Sequence, residues 1–495
     1  MQKSVDMVDM MVLKTARRRT SKVQKSVGEK MKRDSYIKKL EAWKASSRRK
    51  PLILEGARQV GKTWLMKEFS RTHYDNVVYA QFDRNQLLRG IFERDSDIGR
   101  IVRDLEVLFH TRIDPNRTIL LFDEIQACRS ALTSLKHFCE DRPDLHIIAA
   151  GSLLGLTYRD DDADKDVDAS DSDSDSDSDE TTTGFPVGKV NTIPVHPFTF
   201  NEFLTALGEE RLAEEIRNRN WDLLKDLNEV VAEKLRHYYV VGGMPEAVAT
   251  WISTRNFIDV RAVHREILSG FRRDISKHAP KSDVRKIEMC WRSIPAQLAK
   301  ENKKFVYSAV RKGGRASEFR DPLAWLEDAG LIHLNHRTTT PLLPLSHYED
   351  NGFKVYALDV GLLATMSGLA PEVVLDGPRI FREFRGALTE QYVCQQLVAE
   401  TGLAPCYWST DDSRTEIDFV FQRGMEVCPL EVKSGGNVRS QSLKSYEERF
   451  LPGTAFRGSM LPYKEQDVPL RNGATCRLVN VPLCAISYGV TEDAS

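Results

Sequence analysis

"RKPLILEGARQVGKTWLMKEF", residues 49–69, runs from a short apolar strand through a glycine-bracketed loop into a helix. The loop GARQVGKT, from Gly56 to Thr63, sits between the two, where a phosphate-binding loop has to sit. The backbone N–H groups of Gly56, Ala57, Arg58, Gln59, Val60 and Gly61 are expected to close around phosphates. Lys62 is expected to reach the β- and γ-oxygens and the Thr63 hydroxyl to ligate Mg²⁺, while the helix N-terminus adds positive potential. The predicted ligand is ATP with Mg²⁺.

Outward from this loop the pattern is α/β. NVVYAQFD reads as a second strand, residues 86–110 as helical, RTILLFDE as a third strand, SALTSLKHFCED as a helix, LHIIAAGS as a fourth strand and KVNTIPV as a fifth. Strands alternating with helices imply a parallel sheet whose binding edge lies at the strand C-termini. ILLFDEIQ delivers Asp123 and Glu124 to that edge. Asp123 is expected to hold Mg²⁺ through water and Glu124 to polarise the attacking water. Ser152, at the tip of the next strand, is placed to sense the γ-phosphate or simply to cap the strand. Hydrolysis also needs a cation at the γ-phosphate; Lys189, Arg272 and Arg273 are candidates among which the sequence does not choose.

The 495 residues are too many for one core, and 41% hydrophobic with 29% charged residues describes a globular chain of two or three domains. No apolar run approaches membrane-spanning length, and no apolar segment follows the basic N-terminus as in a secretory signal. The eight cysteines show no CxxC pair, so reduced thiols, no zinc site and a cytoplasmic location are expected. The net charge of −1 hides an uneven distribution: residues 160–180 hold twelve acids against Lys165 alone, and the first fifty residues are basic. The Asp/Ser repeat repels itself and buries nothing, so a disordered surface insertion is expected there.

From HPFTFNEFLTALGEE to about residue 280 the sequence turns helical, broken at VVGGMPEAV. Residues 285–365 read as a small helical domain with a β-wing. The last part starts with the helix FRGALTEQYVCQQLVAE, followed by the hairpin TEIDFVFQRGMEVCPLEVKSGG, residues 415–436, and the helix SQSLKSYEERF. A two-residue turn at Arg423–Gly424 sets Gln422 opposite Met425 and Asp418 opposite Pro429. That register places Asp418, Glu431 and Lys433 on one face, with Glu416 beside them and Ile417, Phe419, Phe421, Leu430 and Val432 behind. Adjacent carboxylates repel, which a divalent cation relieves. Asp418 and Glu431 are therefore candidate ligands of Mg²⁺ or Mn²⁺, and Lys433 a candidate to position a water or offset phosphate charge. The plainer reading is that Lys433 neutralises two acids on a solvent-facing sheet.

RKPLILEGARQVGKTWLMKEF, ILLFDEIQ, FPVGKVNTIPVHPFTFNEFL, YYVVGGMPEAV, KVYALDVGLLA, RGALTEQYV and EIDFVFQ…PLEVKSG occur in this order. Together they resemble the bacterial and archaeal AAA-type P-loop ATPases that carry a C-terminal domain of unknown function. The resemblance implies a P-loop ATPase core, a helical and winged-helix-like middle, and a C-terminal α/β domain similar to PD-(D/E)XK (restriction-endonuclease-like) nucleases. It makes Glu390, in RGALTEQYV, a further metal ligand or base, and Gln441 a weaker candidate. The expected divisions are a basic disordered extension over 1–31 and an ATPase core over 32–197 with the acidic insertion at 159–184. A helical lid over 198–280, a winged-helix-like domain over 281–370 and a nuclease-like domain over 371–495 complete them. The functional expectation is an ATPase coupled to a nuclease-like domain that acts on or binds nucleic acid. The alternatives are a non-catalytic ATP-dependent switch binding nucleic acid or protein, and a nucleotide-regulated protein scaffold.

Overall fold

The computed structural model describes residues 31–152, 186, 188–300, 302–376, 382–435, 441–470 and 473–491. The basic extension and the acidic insertion expected from the sequence lie outside the described residues. The chain divides into two compact units, one built on Arg33–His196 with Leu323–Leu331, the other on Pro197–Pro322 with Ile332–Ser495.

In the first unit, α1 (Asp34–Ala45) precedes β1 (Leu52–Glu55), α2 (Lys62–His73), β2 (Asn76–Gln81), α3 (Gln86–Glu93) and α4 (Ile98–Phe109). Then come β3 (Thr118–Asp123), α5 (Arg129–Asp141), β4 (His146–Ala150) and β5 (Asn191–Pro194). The five strands pair in the order β2-β3-β4-β1-β5, every pairing parallel. Strands covered on both faces need unbroken apolar runs, and β1, β3 and β4 supply them, all but fully buried through Leu52–Leu54, Ile119–Phe122 and Ile147–Ala150. Phe82, Phe92 and Phe122 meet edge to face at 5.3–5.6 Å and join that sheet to its helices. Asn85 and Asp97 cap α3 and α4 by accepting from the backbone N–H groups of Leu88 and Arg100.

The second unit opens with helices, among them α6 (Phe200–Ala206), α7 (Asn228–Val241), α8 (Phe257–His278) and α9 (Val284–Leu298). There follow β6 (Ile332–Thr338), β7 (Glu349–Ala357), α10 (Val360–Met366), α11 (Arg382–Gln396), β8 (Cys406–Ser409), β9 (Glu416–Arg423) and β10 (Glu426–Val432). The described chain closes with α12 (Gln441–Phe450), β11 (Thr454–Ser459), β12 (Lys464–Pro469), β13 (Thr475–Pro482) and a last short helix. These strands form one mixed eight-stranded sheet in the order β12-β13-β11-β10-β9-β8-β6-β7. The hairpin β6–β7, expected as a wing, is hydrogen-bonded into this sheet through the parallel pairs Arg337↔Tyr407 and Thr338↔Trp408. A boundary near residue 370 therefore cuts through one sheet.

The conspicuous motifs of this unit interlock as structure. Asp359 is fully buried and accepts from Gly243 N at 2.6 Å, Leu362 N at 3.0 Å and Gln395 Nε2 at 3.2 Å. Gly242 lies at φ 66°, where a Cβ would stand 2.1 Å from Asp359 Oδ1, so only glycine fits. From α11, Gln391 bonds both backbone groups of Ala357, Gln395 accepts from Val360 N and Gln396 accepts from Phe200 N.

Candidate functional site

The loop between β1 and α2 is shaped by three positive φ angles: Gly56 at 134°, Gln59 at 68° and Gly61 at 98°. At Gly56 a Cβ would lie 2.3 Å from Val195 O, so β5 and the loop pack at glycine distance. No side chain caps α2, because Gly61 stands at its N-cap, and the first N–H groups of the helix are left for an anion. Lys62 is buried, and its Nζ donates to Gly56 O and Ala57 O, each at 2.7 Å. Burial pushes the Lys62 ammonium down to about 8, against the pull of Glu124 and Asp123.

Asp123 ends β3 opposite the loop. Its carboxylate accepts from Thr63 Oγ1 at 3.0 and 3.2 Å, from Tyr79 OH at 2.5 Å and from Glu124 N at 3.1 Å. Glu124 itself has φ 52°, a left-handed conformation uncommon outside glycine. Its Oε2 accepts from Gln126 Nε2 at 2.5 Å, and that amide also donates to Ser152 Oγ at 3.3 Å. A cavity of about 210 Å³ is lined by Arg58, Gln59, Gly61, Lys62, Thr63, Asp123, Glu124, Gly151 and Ser152. The hydroxyl–carboxylate pair of Thr63 and Asp123 is the hard-oxygen donor set that Mg²⁺ takes beside phosphates, so the residues fit that ion. The sequence picked out neither Tyr79 nor Gln126. Gln126 stands within ILLFDEIQ, whereas Tyr79 is an edge-strand residue with no local signal.

Lys189 is ion-paired with Glu140 at 2.8 Å, and Arg272 and Arg273 lie exposed on α8 of the other unit. Arg58 lines the cavity beside Lys62.

In the second unit the hairpin forms with its turn one residue later than predicted. Arg423 pairs with Glu426 around Gly424 and Met425, and Pro429 pairs with Val420 in place of Asp418. The shift of two in register keeps the parity of the side chains, and the next step beyond Leu430↔Phe419 brings Glu431 to Asp418. The neighbouring β8–β9 pairing slips between Cys406↔Val420 and Trp408↔Ile417, giving β9 one extra residue at Asp418–Phe419. A bulge re-aims side chains. It breaks the expected alternation: Ile417 and Val420 share one apolar cluster with Trp408, Leu443 and Tyr446.

Asp418, Glu431 and Glu390 are all nearly fully buried, so the carboxylates do not sit on a solvent-facing sheet. Asp418 Oδ2 accepts from Val432 N at 2.8 Å. Lys433 Nζ lies 2.5 Å from Glu431 Oε1, Lys303 pairs with Glu390 Oε1, and Tyr356 OH lies 3.4 Å from Glu390 Oε2. Lys354, fully buried, stands 2.5 Å from Glu416 Oε1 and 3.8 Å from both Asp418 Oδ1 and Glu390 Oε2. Burial, then the charges of Glu390 and Glu431, push the Asp418 carboxyl well above the ordinary carboxylate range. Burial also opposes ionisation of Glu390, but Lys303 and Lys354 outweigh it and hold that carboxyl below its usual value. Gln441 begins α12, on the far side of residues outside the description. Among the described residues, no group of three or more His, Cys, Asp and Glu side chains is arranged to hold a metal ion. As arranged, the carboxylates face lysines, which does not fit a bound Mg²⁺ or Mn²⁺. Lys303 and Lys354 went unnoticed in the sequence; the signal available was one lysine inside the apolar run GFKVYAL.

Residues 48–164 match the family model described as an AAA domain. Over these residues the first unit is thus similar to AAA-type P-loop domains. Residues 232–373 and 385–483 match two models described as domains of unknown function, DUF8612 and DUF4143. Among solved structures, "the walker-type ATPase PABY2304 of Pyrococcus abyssi" is similar at 17% identity with a TM-score of 0.42, covering 68% of this chain and 95% of that one. No curated protein matches. All eight cysteines are free thiols, and among the described residues no helix is long and apolar enough to cross a membrane.

Proposed function

We propose that the first unit binds Mg-ATP and hydrolyses it, and that its nucleotide state governs a nuclease-like C-terminal domain that engages nucleic acid, in the cytoplasm. The observation that carries the ATPase reading is the Thr63–Asp123 pair closing the mouth of the glycine loop beside buried Lys62. In this reading the loop N–H groups from Gly56 to Gly61 bind the phosphates, and Lys62 leaves its own loop carbonyls for the β/γ oxygens. Thr63 and Asp123 would hold Mg²⁺, which supplies neutralisation of phosphate charge. Glu124 takes the proton of the attacking water, Gln126 orients Glu124, and Ser152 senses the γ-phosphate through the same amide. The nuclease-like domain recruits the hairpin β6–β7.

Nucleotide-induced thermal stabilisation and Mg²⁺-dependent phosphate release by wild type, both lost in Lys62→Ala, are the expected results; a wild type unmoved by nucleotide sinks the site. For the second unit, affinity for nucleic acid should fall linearly in log–log terms with salt. No salt-sensitive binding would leave a switch acting on protein. Glu390, Asp418, Glu431 and Lys433 converge as in a nuclease-like fold but do not fit a divalent ion, so no cutting is expected. Mn²⁺-dependent cutting by wild type that disappears in Glu431→Ala and Lys433→Ala would overturn this reading.

A further inference from the structure

Lys354 reaches its carboxylates from β7, with β6 and β8 standing between it and β9 in the sheet order. Its nearest partners are anionic or π-rich: Glu416, Asp418 and Glu390 within 3.8 Å, and the Tyr407 ring at 4.9 Å. A lysine that neutralised a surface acid would keep its ammonium in water; this one has no exposed surface. One oxygen of each further carboxylate is also engaged, Glu390 Oε1 by Lys303, Glu431 Oε1 by Lys433 and Asp418 Oδ2 by the backbone N–H of Val432. Three ammonium groups thus meet four carboxylates in one cluster, of which Lys354, Glu390, Asp418 and Glu431 are buried while Lys303, Glu416 and Lys433 keep part of their surface.

A divalent ion would need several of these oxygens at about 2.0–2.6 Å, and its charge would have to share the cluster with a tethered ammonium. Driving Lys354 out would mean unpacking β7, since its stem is enclosed on every side. The geometry points to Lys354 as a resident cation that takes the place of a divalent metal among Glu390, Glu416 and Asp418. The domain then keeps its carboxylate cluster folded without metal and binds its target without activating a water to cut it. The inference rests on the reading of this domain as a nuclease-like fold.

The test is a Mn²⁺ titration of the full-length, nucleotide-free chain, followed by Mn²⁺ electron paramagnetic resonance and by thermal unfolding. Wild type and Asp418→Asn should take up the same amount of Mn²⁺, with no uptake assignable to this cluster. Lys354→Met should bind Mn²⁺ at least about tenfold more tightly than wild type, as expected when a ligand set is freed. Its lowered melting temperature should recover as Mn²⁺ is added, and Asp418→Asn in that background should abolish both effects. Folded Lys354→Met that takes up no extra Mn²⁺ overturns the inference, as does wild-type uptake lost on Asp418→Asn. If Lys354→Met does not fold, the wild-type and Asp418→Asn pair decides alone. A failure of nucleic-acid binding would remove the functional reading and leave these metal results unchanged.

Discussion

Each unit buries one lysine at its polar centre, and the two are held in opposite ways. Lys62 donates to two carbonyl oxygens of its own loop, and burial lowers its affinity for a proton. Lys354 meets the same burial, yet Glu416 and its neighbours more than compensate, and its proton is held well above the ordinary range. Neutral carbonyls, with Glu124 and Asp123 acting only from a distance, keep a cation in place without a contacting counter-charge, so an arriving phosphate can supply one. Carboxylates satisfy the charge in advance and leave nothing for a ligand. The same side chain is a receptor in one unit and a structural counter-ion in the other.

The comparison breaks first at Lys62. Lys62→Ala is expected to cost at least about 10²-fold in Mg-ATP affinity, read by calorimetry, because the charge-assisted contacts to phosphate vanish. Glu124→Gln should leave nucleotide binding intact while slowing single-turnover hydrolysis by about 10²–10³-fold, the range for loss of a general base. Removing the charge itself should then separate the two lysines. Lys354→Met leaves buried carboxylates uncompensated and should cost about 3–5 kcal/mol in chemical denaturation. Lys62→Met removes a buried charge that desolvation disfavours along with its two carbonyl hydrogen bonds, opposing effects that should change stability by less than about 1 kcal/mol; equal losses would refute the contrast. The smallest effect is on pH. With its value near 8, the Lys62 ammonium loses its proton in the nucleotide-free fold as pH rises through 8, whereas bound phosphate favours the charged form. Affinity for Mg-ATP should therefore be constant below pH 8 and fall by up to about tenfold per pH unit above it.

The nucleotide site was legible because its determinants are local. Eight consecutive residues carry the loop, and ILLFDEIQ carries the acids in one strand, so the parallel alternation alone brings them to one edge. Gln126 lies in that same motif, two residues from the Glu124 it bonds, whereas Tyr79 completes the site through a tertiary contact that no spacing announces. At the other cluster the hairpin was legible, but its turn fell one residue later, at Gly424 and Met425, and the bulge at Asp418 has no local sign. Lys354 was hidden for a topological reason. Reading β6–β7 as a separate wing removed from the site the strand that carries its central cation, and only the β6–β8 pairing restores it.

Asp359 has a consequence for how the second unit opens. One carboxylate ties the turn after α7 to the start of α10 and the C-terminal end of α11, the first lying more than a hundred residues of chain before the other two. None of these can fray without orphaning a buried acceptor, so they should exchange their amide hydrogens as one cooperative block. A motion passed into this unit would then travel through that block as a rigid lever, with its give confined to whatever lies outside the clasp.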